Sequence, residues 1–471
     1  MLGLDLGGFA PPSPINLSWQ KLAYRRPTFA NFTATILKIP YLFLAAHGIA
    51  GLASAILPVL IALMVTQSLS LQALASCMVI SAGVRLLLTP LLAPIVDQSN
   101  PLRLLFFCNL AFAALSLGAA WFVGESAMGI THWGAYFIIS AMIQAFEGSA
   151  YPKISVQLVE HKRLEEFTGW EYAVLYSARL GGPVIAGLCL LAWSPQQSLL
   201  LTLLLPPFLC LPLYALLLLR LGERFKRKPE SGPAKQDRMS EKVRAWGRDV
   251  MGGFRLRWAV RTERYLSIQI FLELLLIIPS FGILLPSVLQ ERRWSNSWLA
   301  WLEAGSGAGL VLGSVLAPKL MRYCGQWRVS LTAAFLLALA VACCALFIVQ
   351  NLPLALVFAL FCANFMLALR IQGGAAQRRV AVPDRMRAQF AGAHITLNAL
   401  AAQIGISVAA LWVAHFAIAT WFWFCASALF LLACSMIFIP GYRHLVQMEV
   451  AQAAGFYERQ YPSVFAAGKD E

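Results

Sequence analysis

Charge is the scarce ingredient of this chain. Only 13% of its 471 residues are charged, against 59% that are hydrophobic, whereas a soluble globular domain carries roughly 25% charged residues. A water-soluble core cannot account for that balance. Metal-ligand spacing is also missing, since no CxxC pair and no HxxxH pair occurs, and neither a structural metal nor any other cofactor is expected. Nine of the ten cysteines (Cys77, Cys108, Cys189, Cys210, Cys343, Cys344, Cys362, Cys425 and Cys434) lie inside apolar runs. There they act as small apolar fillers rather than disulfide partners. The chain has no G-x-x-x-x-G-K-[ST] loop and no nucleophile elbow, which argues against ATP-driven work and against an enzyme. Met1 to Pro27 is polar, without an early apolar stretch or a small-residue cleavage site, so no cleaved signal peptide is expected.

What the chain has in abundance is apolar segments of about 20 residues, each long enough to cross a hydrocarbon layer of about 30 Å. About twelve fit, and they predict an all-α membrane protein. The first half holds spans near Pro40–Val65, Leu71–Val96, Leu102–Val123, Trp133–Tyr151, Trp170–Trp193 and Ser198–Leu219. The second holds spans near Tyr265–Leu289, Trp298–Leu320, Val329–Val349, Leu354–Leu369, Phe390–Val413 and Phe416–Ile439. The division is a segment 1–36, a six-helix bundle 37–220, a basic linker 221–264, a second six-helix bundle 265–440 and a tail 441–471.

The net charge of +15 sits in short loops rather than on one continuous face, so nucleic acid is not expected as a partner. Lys21, Arg25 and Arg26 precede the first span, and Lys319, Arg322, Arg328, Arg370, Arg378, Arg379, Arg385 and Arg387 share one side. The opposite loops keep little beyond Glu125, Glu291, Arg292 and Arg293. By the positive-inside rule both termini are cytoplasmic, in a multi-pass protein of the cell (inner) membrane. Arg220 to Arg264 carries 14 basic and 6 acidic residues. Within it Val243, Trp246, Val250, Phe254 and Trp258 recur at helical spacing, which fits an amphipathic helix on the membrane surface or, on composition, a disordered linker.

Ionisable residues inside spans face a wet cavity or a partner. Here they are His47, Arg85, Glu147, Arg179, Glu273 and Glu303. Glu147 is the first proton-site candidate and Glu273 the second, with His47 beside them, because a carboxylate that meets two environments in turn can load and release a proton. Arg85 and Arg179 are counter-charges, anchors for an anionic substrate group, or members of a structural salt bridge between helices. Glu303 lies near a span end, where it reaches the interface. His47 is either a titrating group or a packing histidine. His394 and Asn398 share a helix face and read as packing glue.

Motifs point to a family. Two six-span halves joined by a long basic loop resemble the major facilitator superfamily. Ala93-Pro94-Ile95-Val96-Asp97-Gln98-Ser99-Asn100-Pro101-Leu102-Arg103 is similar to its G-x-L-a-D-R-x-x-R-R loop, keeping Asp97 and Arg103 and departing at Ala93, Gln98 and Asn100. Ala178-x-x-x-Gly182-Pro183 with Gly187 resembles the fifth-helix motif of its exporters, with alanine in the first place. Gly305 to Gly313 with Lys319 to Arg328 are similar to the superfamily's eighth helix and repeated loop motif, and Val159-Glu160 with Leu164 and Gln377-Arg378-Arg379 through Val382-Pro383-Asp384-Arg385-Met386-Arg387 are similar to turns of the drug and siderophore exporter branch. The resemblance implies twelve helices in two six-helix bundles, rocking about a cavity lined by helices one, four, seven and ten. Those would carry His47, Glu147, Glu273 and Asn364, the first three at similar depth. It implies a monomeric, proton-coupled exporter of a small organic solute by alternating access. An importer of a polar metabolite, a flippase (Tyr151-Pro152-Lys153 is faintly similar to lysophospholipid transporters) and a non-transporting sensor or scaffold stay open.

Overall fold

The structure is a computed structural model that describes residues 39–68, 71–124, 129–221, 239–282, 284–295 and 297–466, almost all of them helical. Segment 1–36 with Lys21, Arg25 and Arg26, residue Glu125 and linker residues 222–238 lie outside the described residues. The first half comprises α1 (Ile39–Ser68), α2 (Leu71–Gln98), α3 (Pro101–Gly124), α4 (Ile130–Leu158), α5 (Leu164–Ala192) and α6 (Pro195–Leu221). The linker contributes α7 (Met239–Ala259). The second half comprises α8 (Arg261–Phe281), short α9 (Leu284–Arg292), α10 (Ser297–Cys324), α11 (Gln326–Val349), α12 (Pro353–Gln372), short α13 (Ala375–Ala381), α14 (Arg387–His415) and α15 (Ile418–Met436). Four short helices follow: α16 (Tyr442–Gln447), α17 (Val450–Ala453), α18 (Phe456–Gln460) and α19 (Pro462–Ala466).

Among the described residues, 11 helices are long and apolar enough to cross a membrane. α4 is the twelfth of that length, and Gln144, Glu147 and Lys153 lower its hydropathy. Helix ends follow local chemistry. Asn100, which departs from the superfamily loop, accepts from the backbone N–H groups of Leu102 and Arg103 at 3.0 and 3.1 Å and so caps α3 ahead of Pro101. Ser194 and Gln197 form a reciprocal capping box at α6. Further along α6, Pro206 and Pro207 withdraw two N–H donors, and the helix widens to a π turn over Pro206–Cys210.

The glycines seat helices within each half. A Cβ at Gly182 would lie 2.4 Å from Cβ of Ala55, and Gly51 and Gly48 meet Ala178 and Val174 one and two turns away, so α1 and α5 close along small residues. Gly305, Gly309 and Gly313 face the backbone of α12 at Val357, Phe361 and Phe365. The expected sliding face of α10 is therefore a fixed contact inside the second half. Only Gly307, on another face, meets the first half, at Leu180.

The residues after α15 are not a free polar tail. Val450, Ala453, Phe456, Tyr457 and Phe465 are buried in one cluster with Val156 and Leu164 of the first half and Val380, Val382 and Phe390 of the second. Tyr457 donates to Glu263 at 2.6 Å, Tyr442 to the Gly373 carbonyl at 3.0 Å, and Gly455 N–H to the Val380 carbonyl at 3.0 Å. α7 is ordered as well. Gly253 lets it touch the Gln389 carbonyl, and buried Arg257 donates to the Phe390 carbonyl at 3.0 and 3.1 Å while stacking over the Phe390 ring. The docked face is that of Gly253, Leu256 and Arg257, whereas Trp246 and Trp258 of the expected apolar stripe are exposed.

Gly182→Ala is expected to destabilise the protein by about 1–3 kcal/mol, the usual cost of overpacking. Gly187→Ala, with open space around it, should leave the melting temperature unchanged. Thermal unfolding of the two purified variants separates the outcomes.

Candidate functional site

A cavity of about 900 Å³ lies between the two halves. Its floor, at the end that carries α7 and α16–α19, is a layer of polar ties. An α-helix leaves its first N–H groups unpaired and its N-terminus partly positive. Asp97, in the last turn of α2, accepts from the first of these groups on α14, Ala388 at 2.8 Å and Gln389 at 2.9 Å. Lys153 of α4 stands 3.7 Å from the same carboxylate and donates to the carbonyls of Val96 and Asp97 at 3.2 and 2.9 Å. Arg379 pairs with Glu171 at 2.7 Å, Gln377 donates to Glu165 at 2.8 Å, and Gln157 donates to both oxygens of Asp384 at 3.1 Å. Apart from the Lys153 contacts, each of these joins one half to the other.

Above the floor the wall is basic, with seven arginines against two glutamates. Five of the seven have a carboxylate within 4 Å: Arg257 and Arg378 share Glu263, Arg370 has Glu273, Arg379 has Glu171 and Arg387 has Asp384. Arg85 and Arg179 have none among the described residues. Arg85 donates only to the Gln144 amide oxygen, at 3.2 Å.

The sequence candidates are placed as follows. Glu273 lines the cavity, 3.5 Å from Arg370, whose Nε and Nη2 have no hydrogen-bond partner. His47 lines it too, with its ring 4.1 Å from that of Tyr151 and its Nδ1 without a hydrogen bond. Arg85 and Arg179 reach the cavity from α2 and α5. Glu147 is set behind the wall, in a recess of about 10 Å³ shared with Ser54, Asn109 and Cys210, and accepts from Asn109 at 3.3 Å. Asn364 does not line the cavity; it is buried and turns back to the Leu360 carbonyl of its own helix at 3.0 Å. Leu367 and Ile371, one and two turns on along the same face of α12, do line the cavity. Asp97 is the tie described above, Arg103 is exposed, and Ala178, Gly182 and Pro183 belong to α5, with Ala178 and Gly182 at its seam with α1. His394 and Asn398 lie 3.3 Å apart on the cavity wall.

Sequence reasoning missed Arg370, Arg257, Glu171, Glu263 and Lys153 as organising groups. By the span limits above only Glu171 lies inside a span end, where an ionisable side chain needs a partner; Lys153 and Arg370 fall just beyond a span, and Arg257 and Glu263 fall in the linker.

A family model described as Major Facilitator Superfamily matches residues 42–368. Among solved structures the fold is similar to a bacterial homologue of the iron transporter ferroportin in its outward-facing state, at 16% identity and a TM-score of 0.65, over 85% of this chain and 98% of that one. It is similar to the proton:xylose symporter XylE at 15% identity and a TM-score of 0.64, over 89% and 99%. It is also similar to the human organic anion transporter MFSD10 at 14% identity and a TM-score of 0.57, over 88% and 99%. No curated protein sequence matches it. At these identities the likeness is one of fold.

Asp97→Ala removes the acceptor of two N–H groups and the partner of Lys153. Ser149 is fully buried beside Gly392 of the other half. A cysteine placed at position 149 is expected to react with a water-soluble maleimide at least about tenfold faster in the Asp97→Ala background, the factor that a loss of 1.4 kcal/mol produces. An unchanged labelling rate would mean that the tie does not hold the floor shut.

Proposed function

The chain belongs to the major facilitator superfamily, and we propose that this membrane transporter is a proton-coupled exporter of a small organic solute, drug-like or siderophore-like, working as a monomer by alternating access. The observation that carries the reading is Glu273, a titratable group on the wall of a cavity shared by both halves, held by Arg370 at 3.5 Å. In this reading the floor is the cytoplasmic side, both termini are cytoplasmic, and the closed layer of ties is the outward-facing stage of the cycle in the cell (inner) membrane. A proton entering from the far side neutralises Glu273 and frees Arg370. The pair re-forms when the proton leaves on the other side, so the charge state of the wall alternates with the state of the gate.

Glu147 is the second proton candidate and His47 the third. Glu147 has an amide rather than a cation as its hydrogen-bond partner and is separated from the cavity by the Gln144 and Gly148 wall. Export as the direction rests on the Ala178-x-x-x-Gly182-Pro183 motif. No second reading has an observation of its own in its favour.

Glu273→Gln keeps the shape and cannot change charge. In proteoliposomes that variant is expected to lose solute-dependent proton flux to background while one-for-one solute exchange persists. Proton-driven flux at the wild-type level in Glu273→Gln, with loss in Glu147→Gln, would move the coupling site to Glu147. Wild-type flux in both variants would remove these carboxylates from the mechanism.

A further inference from the structure

Two cavity arginines have no carboxylate within 4 Å among the described residues: Arg179, and Arg85, which feels the charge of Glu147 from beyond that distance. A guanidinium near the middle of a membrane costs at least about 2.5 kcal/mol on insertion scales. Five cavity arginines meet that cost with a carboxylate within 4 Å. Arg85 and Arg179 do not, and both present their side chains to the same water-accessible space. Arg85 is 14 residues from the start of α2 and Arg179 is 15 from the start of α5. At 1.5 Å per residue each sits about 20 Å from either end of its helix, at matching depth. Two like charges at one level of a low-dielectric wall repel each other, and an anion between them turns that repulsion into attraction.

The surroundings select the rest of the ligand. Gln144 accepts from one Arg85 nitrogen and donates to Ser140 at 3.1 Å, which fixes that guanidinium from behind and leaves its other donors towards the cavity. Tyr176 and Tyr172, one and two turns below Arg179, stack at 5.9 Å and line the same cavity, and Tyr136 and Phe137 line it from α4. A space of about 900 Å³ is in the range that encloses a drug-sized molecule and far exceeds an inorganic ion. We infer that the transported solute is an organic anion, its carboxylate or sulfonate held between Arg85 and Arg179 and its aromatic or apolar body lying against Tyr136, Phe137, Tyr172 and Tyr176. This rests on the cavity being the solute path, but not on proton coupling or direction.

The test is equilibrium binding of radiolabelled 2-naphthoate to the full chain in lipid nanodiscs, with no gradient present. Saturable binding is expected, displaced by naphthalene-2-sulfonate and not by neutral 2-naphthol, 2-naphthylmethylamine or millimolar inorganic phosphate. Arg85→Gln and Arg179→Gln should each weaken it about tenfold or more, as expected for a lost charge-assisted hydrogen bond, with unaltered thermal unfolding. The displacement series needs no variant, so it stands even if a glutamine variant fails to fold. Equal displacement by the neutral or cationic compound, displacement by phosphate, absence of saturable binding, or wild-type affinity in both variants would overturn the inference. Failure of proton coupling would show instead as wild-type proton flux in Glu273→Gln with 2-naphthoate binding intact, so the two readings fail separately.

Discussion

One carboxylate holds the two halves in register. Asp97 reaches across from the end of α2 to the start of α14 and takes up two N–H groups that a helix N-terminus would otherwise leave bare. Interactions of this kind contribute about 0.3–2 kcal/mol, with the upper figures in partly buried settings, and Asp97 is buried with Lys153 beside it. The close approaches around it depend on that alignment. Gly392 comes against Ala93, Gly148 against Ile395, and α7 slots its two glycines onto Gln389. Such a tie is strong enough to favour one arrangement and weak enough to be exchanged for another, as the proposed alternating access requires.

The arginines divide by company. Those near the floor are matched with Glu263, Glu171 and Asp384, and behave as structural rivets whose removal would leave a buried charge stranded. Arg370 is matched too, but loosely, through Nη2 at 3.5 Å, with Nε idle. Arg85 and Arg179 complete the gradient from fully satisfied to unsatisfied. Moving up from the floor, the wall passes from architecture to chemistry.

Much of the fold was legible because hydropathy and span length are direct physical requirements of a bilayer. Eleven of the twelve spans coincide with single helices to within about seven residues at each end, whereas the Tyr265–Leu289 span breaks at Gly282 into α8 and short α9; the glycine and proline motifs marked real helix seams, at Gly182 on Ala55 and Gly309 on Phe361. What the sequence could not reveal is which way a side chain faces. Glu147 lies at a plausible depth, yet the turn of α4 sets it behind the wall, and Asn364 bonds back to the Leu360 carbonyl of its own helix instead of reaching the cavity. Arg370 and Arg379 read as loop charges by counting residues and prove to be a cavity group and a floor tie. The short helices after α15 carry too weak a periodicity, over four to six residues each, for their burial to be foreseen.

Those short helices sit beneath both bundles, with Tyr457 locked to Glu263 and Phe465 tucked beside Arg385. Any separation of the bundles on that side must peel this strap from at least one of them. In the proposed cycle this strap is therefore a moving part, and a bulky reporter inserted after Ala466 would act as a load on it rather than as a passive label.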